Sequence, residues 1–231
     1  PLAAQDAPAA AAPVAPARAE HVVLISIDGL RPEFYRDSAA WPAPTIQQMA
    51  REGVHALGVR GVFPSVTYPS HTTLVTGALP ARHGIWYNAP FEPGGQTGRW
   101  YWQADTIRVP TLFSALRAAG RRSAAVLWPV SVGAPIDWNV PEYWSLDRAV
   151  DPVTATRGVA TPGLFEELER EATGRLTMRT FSADDLTRDD REGAIAAYLL
   201  ETKRPALLAV HLIGTDHFQH AEGRGGPMVR R

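Results

Sequence analysis

The segment FPSVTYPSHTTLVTG, from Phe63 to Gly77, concentrates hydroxyl groups that could act as nucleophiles. It contains two serines, four threonines and one histidine. Pro69 is suited to a first helical turn and Gly77 to a helix end, which predicts a helix with Thr67 just ahead of its N-terminus. Free backbone N–H groups and the helix dipole favour an anion there, either a threonine alkoxide or a phosphoryl oxygen. On position alone, an ordinary N-cap remains the better interpretation of Thr67.

A threonine nucleophile needs an activator, because its hydroxyl is almost wholly protonated at neutral pH. The chain contains no cysteine, which excludes thiolate nucleophiles and cysteine-type zinc sites. No partner base stands beside Thr67 in the sequence, so a metal ion is the natural activator. Its ligands would have to be Asp, Glu, His or hydroxyl groups.

Two acidic positions qualify as ligand candidates. Asp28 ends the apolar run HVVLISI, and Asp216 and His220 are four residues apart in the segment DHFQH. That spacing places the latter two side chains on one face if the segment is helical, and within reach of one ion if it is a tight loop. Each position also has a plain structural interpretation, because an Asp before Gly is a common turn residue and D-x-x-x-H is a weak signal.

The elements that must position these residues alternate between strands and helices. The predicted order is a strand over 21–27, a helix over 44–53, a short strand near 55–62, a helix over 110–120, a strand over 123–128, a helix over 189–202 and a strand over 205–214. This alternation predicts an α/β fold with a mostly parallel sheet and helices on both faces. In such sheets the functional groups collect beyond the carboxyl ends of the strands, so Asp28, Asp216 and Thr67 are expected in one crevice.

Composition narrows the organisation and the partners. The 231 residues, 45% of them hydrophobic, suit one sizeable domain. Residues 1–20, rich in Ala and Pro, are predicted to be a disordered tail or linker before a domain over 21–231, and their composition suggests the remnant of an export signal. The net charge of -1 and the absence of Lys/Arg runs predict no nucleic-acid groove. No apolar run approaches the roughly 20 residues of a membrane span.

Three longer stretches carry a family resemblance. VLISIDGLRPEFY, APTIQQMAREGV and VFPSVTYPSHTTLVTGALPARHGIWYN resemble, in that order, the type I phosphodiesterase/nucleotide pyrophosphatase family of the alkaline phosphatase superfamily. The resemblance continues in VPTLFSALRAAGRRSAAVLWPVS and TDHFQHAEG, so that it covers about residues 21 to 225. It implies an alkaline-phosphatase-like core, export to the periplasm or outside, and a nucleotide or phosphodiester substrate.

The resemblance also implies roles for particular residues. Thr67 resembles the family's nucleophile and would ligate one of two zinc ions together with Asp28. Asp216 and His220 resemble ligands of the second zinc, and Asn88 resembles the asparagine that holds a nonbridging phosphoryl oxygen. The reaction implied is hydrolysis of phosphodiester or pyrophosphate bonds through a phosphothreonine intermediate.

The family pattern has further ligands that this sequence lacks. Family members continue past the D-x-x-x-H segment with an Asp-His pair and a later His, and nothing after Ala221 replaces these. We therefore expect a C-terminally truncated domain with an exposed sheet edge or apolar surface and with two protein ligands left for each zinc. The alternatives are a catalytically impaired fragment or noncatalytic binding module, and a phosphonate hydrolase of the same superfamily. The oligomeric state cannot be predicted.

Overall fold

The computed structural model describes residues 19–37 and 39–231. The Ala/Pro-rich segment predicted as a disordered tail lies, up to residue 18, outside the described residues. In the remainder, four parallel strands form one sheet with the order β1-β4-β2-β3. They are β1 (Val22–Ile27), β2 (Ser123–Val126), β3 (Trp138–Val140) and β4 (Leu207–Leu212). The predicted α/β class with a parallel sheet is confirmed.

Helices occupy most of the chain between the strands. They are α1 (Pro32–Arg36), α2 (Pro44–Glu52), α3 (Thr67–Thr76), α4 (Pro80–His83), α5 (Leu112–Ala118), α6 (Pro152–Val159), α7 (Leu164–Leu168), α8 (Met178–Phe181), α9 (Asp185–Tyr198), α10 (Gly214–Glu222) and α11 (Pro227–Arg230). A 3-10 turn spans Ala104–Thr106, and π-helical turns at Glu169–Thr173 and Leu199–Lys203 extend α7 and α9. No described helix has the length and apolar character needed to cross a bilayer.

Helices cover both faces of the sheet. Strand β4 lies between β1 and β2, and its apolar side chains pack against helices on each face. Leu208 and Val210 pack into a core with residues of α7 and α9. The alternate residues Leu207 and Ala209 point to the other face and join a core with α3 and α5. This two-sided burial explains the uninterrupted apolar run in the β4 sequence.

Two details of the predicted elements are wrong. The short strand near 55–62 does not form: these residues carry no regular structure, and Val54, Leu57 and Val59 are 102%, 73% and 89% exposed. A strand needs a neighbour to pair with, and residues 55–62 pair with no described strand. The helix predicted from Pro69 begins earlier, so that Thr67 is its first residue and Val66 its N-cap.

The edge of the sheet at β1 is open. Within the described part of the chain, β1 pairs with β4 alone, and its Val22, Val23 and Ile25 are 51%, 42% and 54% exposed. The predicted exposure of a sheet edge with apolar side chains is confirmed. Such an edge presents unpaired backbone groups and is a surface on which further chain can pair.

Candidate active site

A cavity of about 650 Å³ opens beyond the carboxyl ends of β1 and β4. The residues predicted to carry the chemistry all line it, namely Asp28, Thr67, Asn88, Asp216 and His220. Asp28 follows β1 directly, Thr67 begins α3, and the other acid and its histidine lie on α10. The parallel sheet therefore brings together residues that are up to 192 positions apart (220 minus 28).

The first pair at the centre of this cavity is Thr67 with Asp28. The Thr67 hydroxyl donates a hydrogen bond of 3.0 Å to Asp28 Oδ2. At the start of α3 the backbone N–H of Tyr68 donates to Asn88 Oδ1 at 2.9 Å. This bond fixes the Asn88 side chain and leaves its amino group free to donate to a ligand. Because Thr67 is the first residue of α3, its own N–H has no partner within the helix.

His211 controls the electrostatics of Asp28. Its Nδ1 donates to the Leu127 carbonyl at 3.2 Å, and its Nε2 faces Asp28 Oδ2 at 3.5 Å without a hydrogen-bond partner among the described residues. Burial by itself raises the pKa of Asp28, but His211, with smaller contributions from His71 and Thr67, lowers that pKa from 3.8 to about 2. Asp28 is therefore a carboxylate throughout the neutral range.

His71 ties the start of α3 to β1. Its Nδ1 donates to the Thr67 carbonyl at 2.7 Å, and its Nε2 accepts from the Ser26 hydroxyl at 2.9 Å. The ring also lies against that of His211, with centroids 4.2 Å apart and the planes tilted by 59°. His83 is likewise buried and hydrogen-bonded, to Ile85 and Thr73. Both histidines are therefore held in place by hydrogen bonds within the fold.

The buried, neutral state of His71 predicts an acid-sensitive fold. Burial and then the charge of His211 lower the pKa of His71 from 6.5 to about 3. The unfolded chain therefore binds a proton on this residue at a higher pH than the folded chain does, and stability falls as the pH drops from about 6.5 towards 3. In metal-free protein, the urea midpoint of His71→Gln is expected to depend less on pH over this interval than the wild-type midpoint does.

The control for this measurement is an exposed histidine. His55→Gln should retain the wild-type slope of urea midpoint against pH, since His55 is exposed. An unchanged slope in His71→Gln would contradict the assignment. The midpoint at pH 8 corrects for any loss of the two His71 hydrogen bonds, because His71 is neutral there in both the folded and the unfolded chain.

The second pair, Asp216 with His220, lies on one helix, α10, which is one of the two arrangements that the spacing allows. Asp216 Oδ2 and His220 Nε2 are 3.4 Å apart. Burial and then the charge of Asp28 raise the pKa of Asp216, which shows that the two acids are electrostatically coupled. A cation between them would relieve this repulsion.

A close approach at Gly29 holds α10 against the end of β1. Gln219 Nε2 donates to the Gly29 carbonyl at 2.8 Å, and a Cβ atom on Gly29 would lie 3.0 Å from Asp216 Cα. Gly29 also has a φ of 68°, which favours glycine. From α9, Asp189 accepts the backbone N–H groups of Ile213 and Gly214 and so caps the start of α10.

The donor types at the two pairs suit zinc, which takes carboxylate oxygen and imidazole nitrogen. The unpartnered Nε2 of His211 is a further nitrogen next to the first pair. Among residues 19–37 and 39–231, however, no three His, Asp or Glu side chains are grouped closely enough to hold an ion. Each pair would thus supply two protein ligands to an ion, where a catalytic zinc normally has three.

The lining residues that were not predicted as site residues include His211, Glu142 and Arg188. A signal existed for His211, because a histidine interrupts the otherwise apolar run PALLAVHLIG close to its carboxyl end. Glu142 and Arg188 have no sequence signal of this kind. Two tryptophans, Trp100 and Trp144, also line the cavity, and their rings lie edge to face with centroids 4.8 Å apart.

Comparisons with protein families and curated proteins agree with one another. The family model for type I phosphodiesterase / nucleotide pyrophosphatase matches residues 22–231. A bis(5'-adenosyl)-triphosphatase of Xenopus laevis is 30% identical over 118 residues, which make up 48% of this chain and 24% of that protein. The human ectonucleotide pyrophosphatase/phosphodiesterase family member 5 is 31% identical over 120 residues, with the same two shares. The matches therefore span about a quarter of these relatives' length.

Solved structures share the fold. Murine ectonucleotide pyrophosphatase/phosphodiesterase 5, as an inactive threonine-to-alanine variant in complex with AMP, superposes with a TM-score of 0.59 at 21% identity. The superposed region makes up 91% of this chain and 48% of the murine chain. Phosphonoacetate hydrolase from Sinorhizobium meliloti 1021 superposes with a TM-score of 0.58 at 22% identity. The superposed region makes up 91% of this chain and 49% of the hydrolase chain. The predicted alkaline-phosphatase-like fold is confirmed, and the chain covers about half of each neighbour.

Proposed function

Because the chain belongs to the type I phosphodiesterase/nucleotide pyrophosphatase family, we propose that it is the part of a zinc-dependent phosphodiesterase or nucleotide pyrophosphatase that carries the nucleophile, Thr67. The observation that carries this proposal is the 3.0 Å hydrogen bond from Thr67 to the carboxylate of Asp28, at the floor of a cavity and the start of a helix. The threonine-to-alanine variant of the murine neighbour, described as inactive, supports the same choice.

In this proposal Asp28 and Thr67 hold one zinc ion, and Asp216 and His220 hold another. Bound zinc lowers the pKa of a coordinated hydroxyl group and neutralises charge on the transferring phosphoryl group. The chain's own contribution is placement. His71 fixes the backbone of Thr67 relative to β1, and Gln219 fixes α10 relative to Asp28.

The covalent steps follow from these positions. Thr67 Oγ1, after its proton has passed to solvent, bonds to phosphorus while the bond from phosphorus to the leaving oxygen breaks. The leaving oxygen keeps that electron pair and is protonated by water, and a second water then hydrolyses the phosphothreonine. Throughout, the Asn88 amino group and the Thr67 N–H donate to the nonbridging oxygens, where such preorganised donors are worth several kcal/mol.

The substrate class proposed is a nucleotide diester or pyrophosphate. One curated relative is named for the hydrolysis of a bis-adenosyl triphosphate, and a solved neighbour binds AMP. The cavity of about 650 Å³ is large enough for a nucleotide-sized ligand. Export to the periplasm or outside is proposed on the same basis, because several relatives are named ectonucleotide enzymes.

Metal dependence provides the direct test. We expect the chain to hydrolyse the nitrophenyl ester of thymidine 5′-monophosphate with added zinc, to lose this activity with a chelator and to regain it when excess zinc is restored. Calorimetric zinc titration is the readout that does not need turnover, and it should show binding that Asp28→Asn and Asp216→Asn each weaken by at least about tenfold. Asp105→Asn, which removes an exposed carboxylate outside the cavity, should bind zinc as the wild type does.

One observation favours a second candidate, a noncatalytic binding module. No three-ligand group exists among the described residues, so zinc affinity depends on two protein ligands at each position. If calorimetry detects no zinc binding and the ester is not hydrolysed, this module is the better assignment. Phosphonate hydrolysis has the weaker support, since its structural neighbour is only 22% identical.

A further inference from the structure

Arg188 brings a cation into the same cavity. It lies in the first turns of α9 and lines the cavity together with Thr67 and Asn88. Its Nε donates to Glu192 Oε1 at 3.0 Å, one helical turn further on. The two terminal amino groups make no hydrogen bond to any described residue, and they are not sealed from water as buried unpartnered atoms would be. A guanidinium held at its Nε end thus has two donors available to a ligand.

The acids around Arg188 neutralise it incompletely. Glu142 also lines the cavity but forms no ion pair with Arg188, and Asp189 is engaged by the backbone of α10. The side chain of Glu192 is fully buried, with Oε2 lacking a partner. Glu192 is thus the one acid among the described residues that forms an ion pair with Arg188, and it engages only the Nε end of the guanidinium.

Such a group has a clear chemical preference. A guanidinium offers parallel N–H donors that match the oxygens of a phosphate or carboxylate, and one immobilised by a buried acid loses little entropy on binding. The donors near Thr67 serve a single phosphoryl group, and Arg188 is not needed for that group. An oxyanion bound at Arg188 would be a second one in the same cavity.

We infer that Arg188 is a specificity-determining residue that binds a second oxyanion of the substrate, beyond the phosphoryl group held at Thr67 and Asn88. The inference rests on the proposed function of this cavity. It selects ligands with two oxyanions, such as a nucleoside diphosphate or a phosphonate bearing a carboxylate, over ligands with one. Nothing in the reaction at phosphorus depends on Arg188.

The test compares ligands that differ by one oxyanion. Calorimetry on the zinc-supplemented chain would measure AMP, the nonhydrolysable α,β-methylene analogue of ADP, and phosphonoacetate. In Arg188→Ala, affinity for the ADP analogue should fall by about tenfold to a hundredfold, while affinity for AMP stays within about twofold. A parallel loss for phosphonoacetate would identify the second group as a carboxylate as well as a phosphate, whereas no loss would restrict it to phosphate.

Controls separate charge, geometry and folding. Arg179→Ala removes an exposed arginine outside the cavity and should leave all three affinities unchanged. Arg188→Lys keeps the positive charge but lacks the parallel N–H donors of the guanidinium. We expect it to recover part of the affinity for the ADP analogue that Arg188→Ala loses. Arg188→Ala leaves the buried Glu192 without its ion-pair partner. The double variant Arg188→Gln with Glu192→Gln therefore repeats the measurement without a buried unpaired charge.

Two results would count against different statements. Equal losses for AMP and the ADP analogue in the double variant, or no loss for either, would overturn the role of Arg188. Failure of the wild type to bind AMP at all, with a folded chain, would instead count against the proposed function of the cavity. The ratio of the two affinities is the decisive quantity, because a merely structural role of Arg188 would change both in parallel.

Discussion

Thr67→Ala is expected to reduce hydrolysis of the nitrophenyl ester of thymidine 5′-monophosphate by on the order of 10³-fold or more. Removal of a covalent nucleophile leaves only the contribution of oxyanion donors and binding, as in other enzymes with a hydroxyl nucleophile. The hydroxyl in question is the one that donates to Asp28 at 3.0 Å. The rate would be measured at saturating zinc, so that a weaker metal affinity does not enter the comparison.

Ser70→Ala is the matched control for this prediction. Ser70 lies one turn along α3 and lines the same cavity, so the variant removes a hydroxyl from the site without touching the Asp28 pair. It should retain activity within a few fold. Thr67→Ser should retain part of the activity, because the attacking oxygen is present on a less constrained side chain. A Thr67→Ala rate equal to the wild-type rate would eliminate this nucleophile.

A trapping experiment addresses the intermediate separately. Acid quenching during turnover followed by peptide mass analysis should find a nucleotidyl adduct on the peptide that contains Thr67. The adduct should be absent from Thr67→Ala. An adduct on Ser70 would move the nucleophile to a neighbouring turn of α3.

Gly29→Ala is expected to move the pair Asp216 and His220 away from Asp28, with a large loss of zinc affinity and activity. A Cβ atom at this position would meet Gln219 Nε2 at 2.6 Å and Asp216 Cα at 3.0 Å, and the second of these is backbone. The Gln219 side chain can turn aside, but the backbone of α10 must give way by a few tenths of an ångström, taking Asp216 with it. Since a displacement of about 1 Å at a catalytic centre can cost on the order of 10²-fold in rate, a shift of this size is expected to cost on the order of tenfold. The free energy of unfolding should fall by roughly 2–4 kcal/mol through overpacking and backbone strain.

Gly77→Ala isolates the backbone contribution to that loss. Gly77 has a φ of 64°, close to the 68° of Gly29, but a Cβ atom there would contact nothing within 4 Å. Its substitution should cost about 1 kcal/mol of stability and leave zinc binding and hydrolysis unchanged. If both glycine variants lose zinc affinity equally, backbone strain rather than the approach of α10 is responsible.

These predictions share one feature of the site, which is that the side chains proposed to be catalytic are held by partners from other elements. Thr67 is held through His71 and Ser26, and Asp216 through Gln219 and Gly29. The partners were not among the residues predicted to carry the chemistry. Substitutions at them are expected to act through position, with changes in metal affinity and rate that stability measurements alone would not reveal.

The sequence by itself determined the fold class, and it predicted which chemical groups would line one cavity. Apolar runs ending in Asp28 and shortly before Asp216 predict buried parallel strands, since such strands lack polar alternation when both faces are covered. The order of strands in the sheet does not follow from these local patterns. Strand β4, last along the chain, lies between β1 and β2, and this pairing brings α10 against the end of β1.

Only the tertiary structure decided how the site is assembled. The strand expected near 55–62 is absent because a strand requires a partner, and pairing is a property of the whole sheet rather than of a segment. His211, Glu142 and Arg188 became visible as site residues for the same reason, because their contacts join positions separated by up to 183 residues (211 minus 28). Local sequence fixes propensity and chemistry, whereas burial and the distances between distant side chains arise from packing.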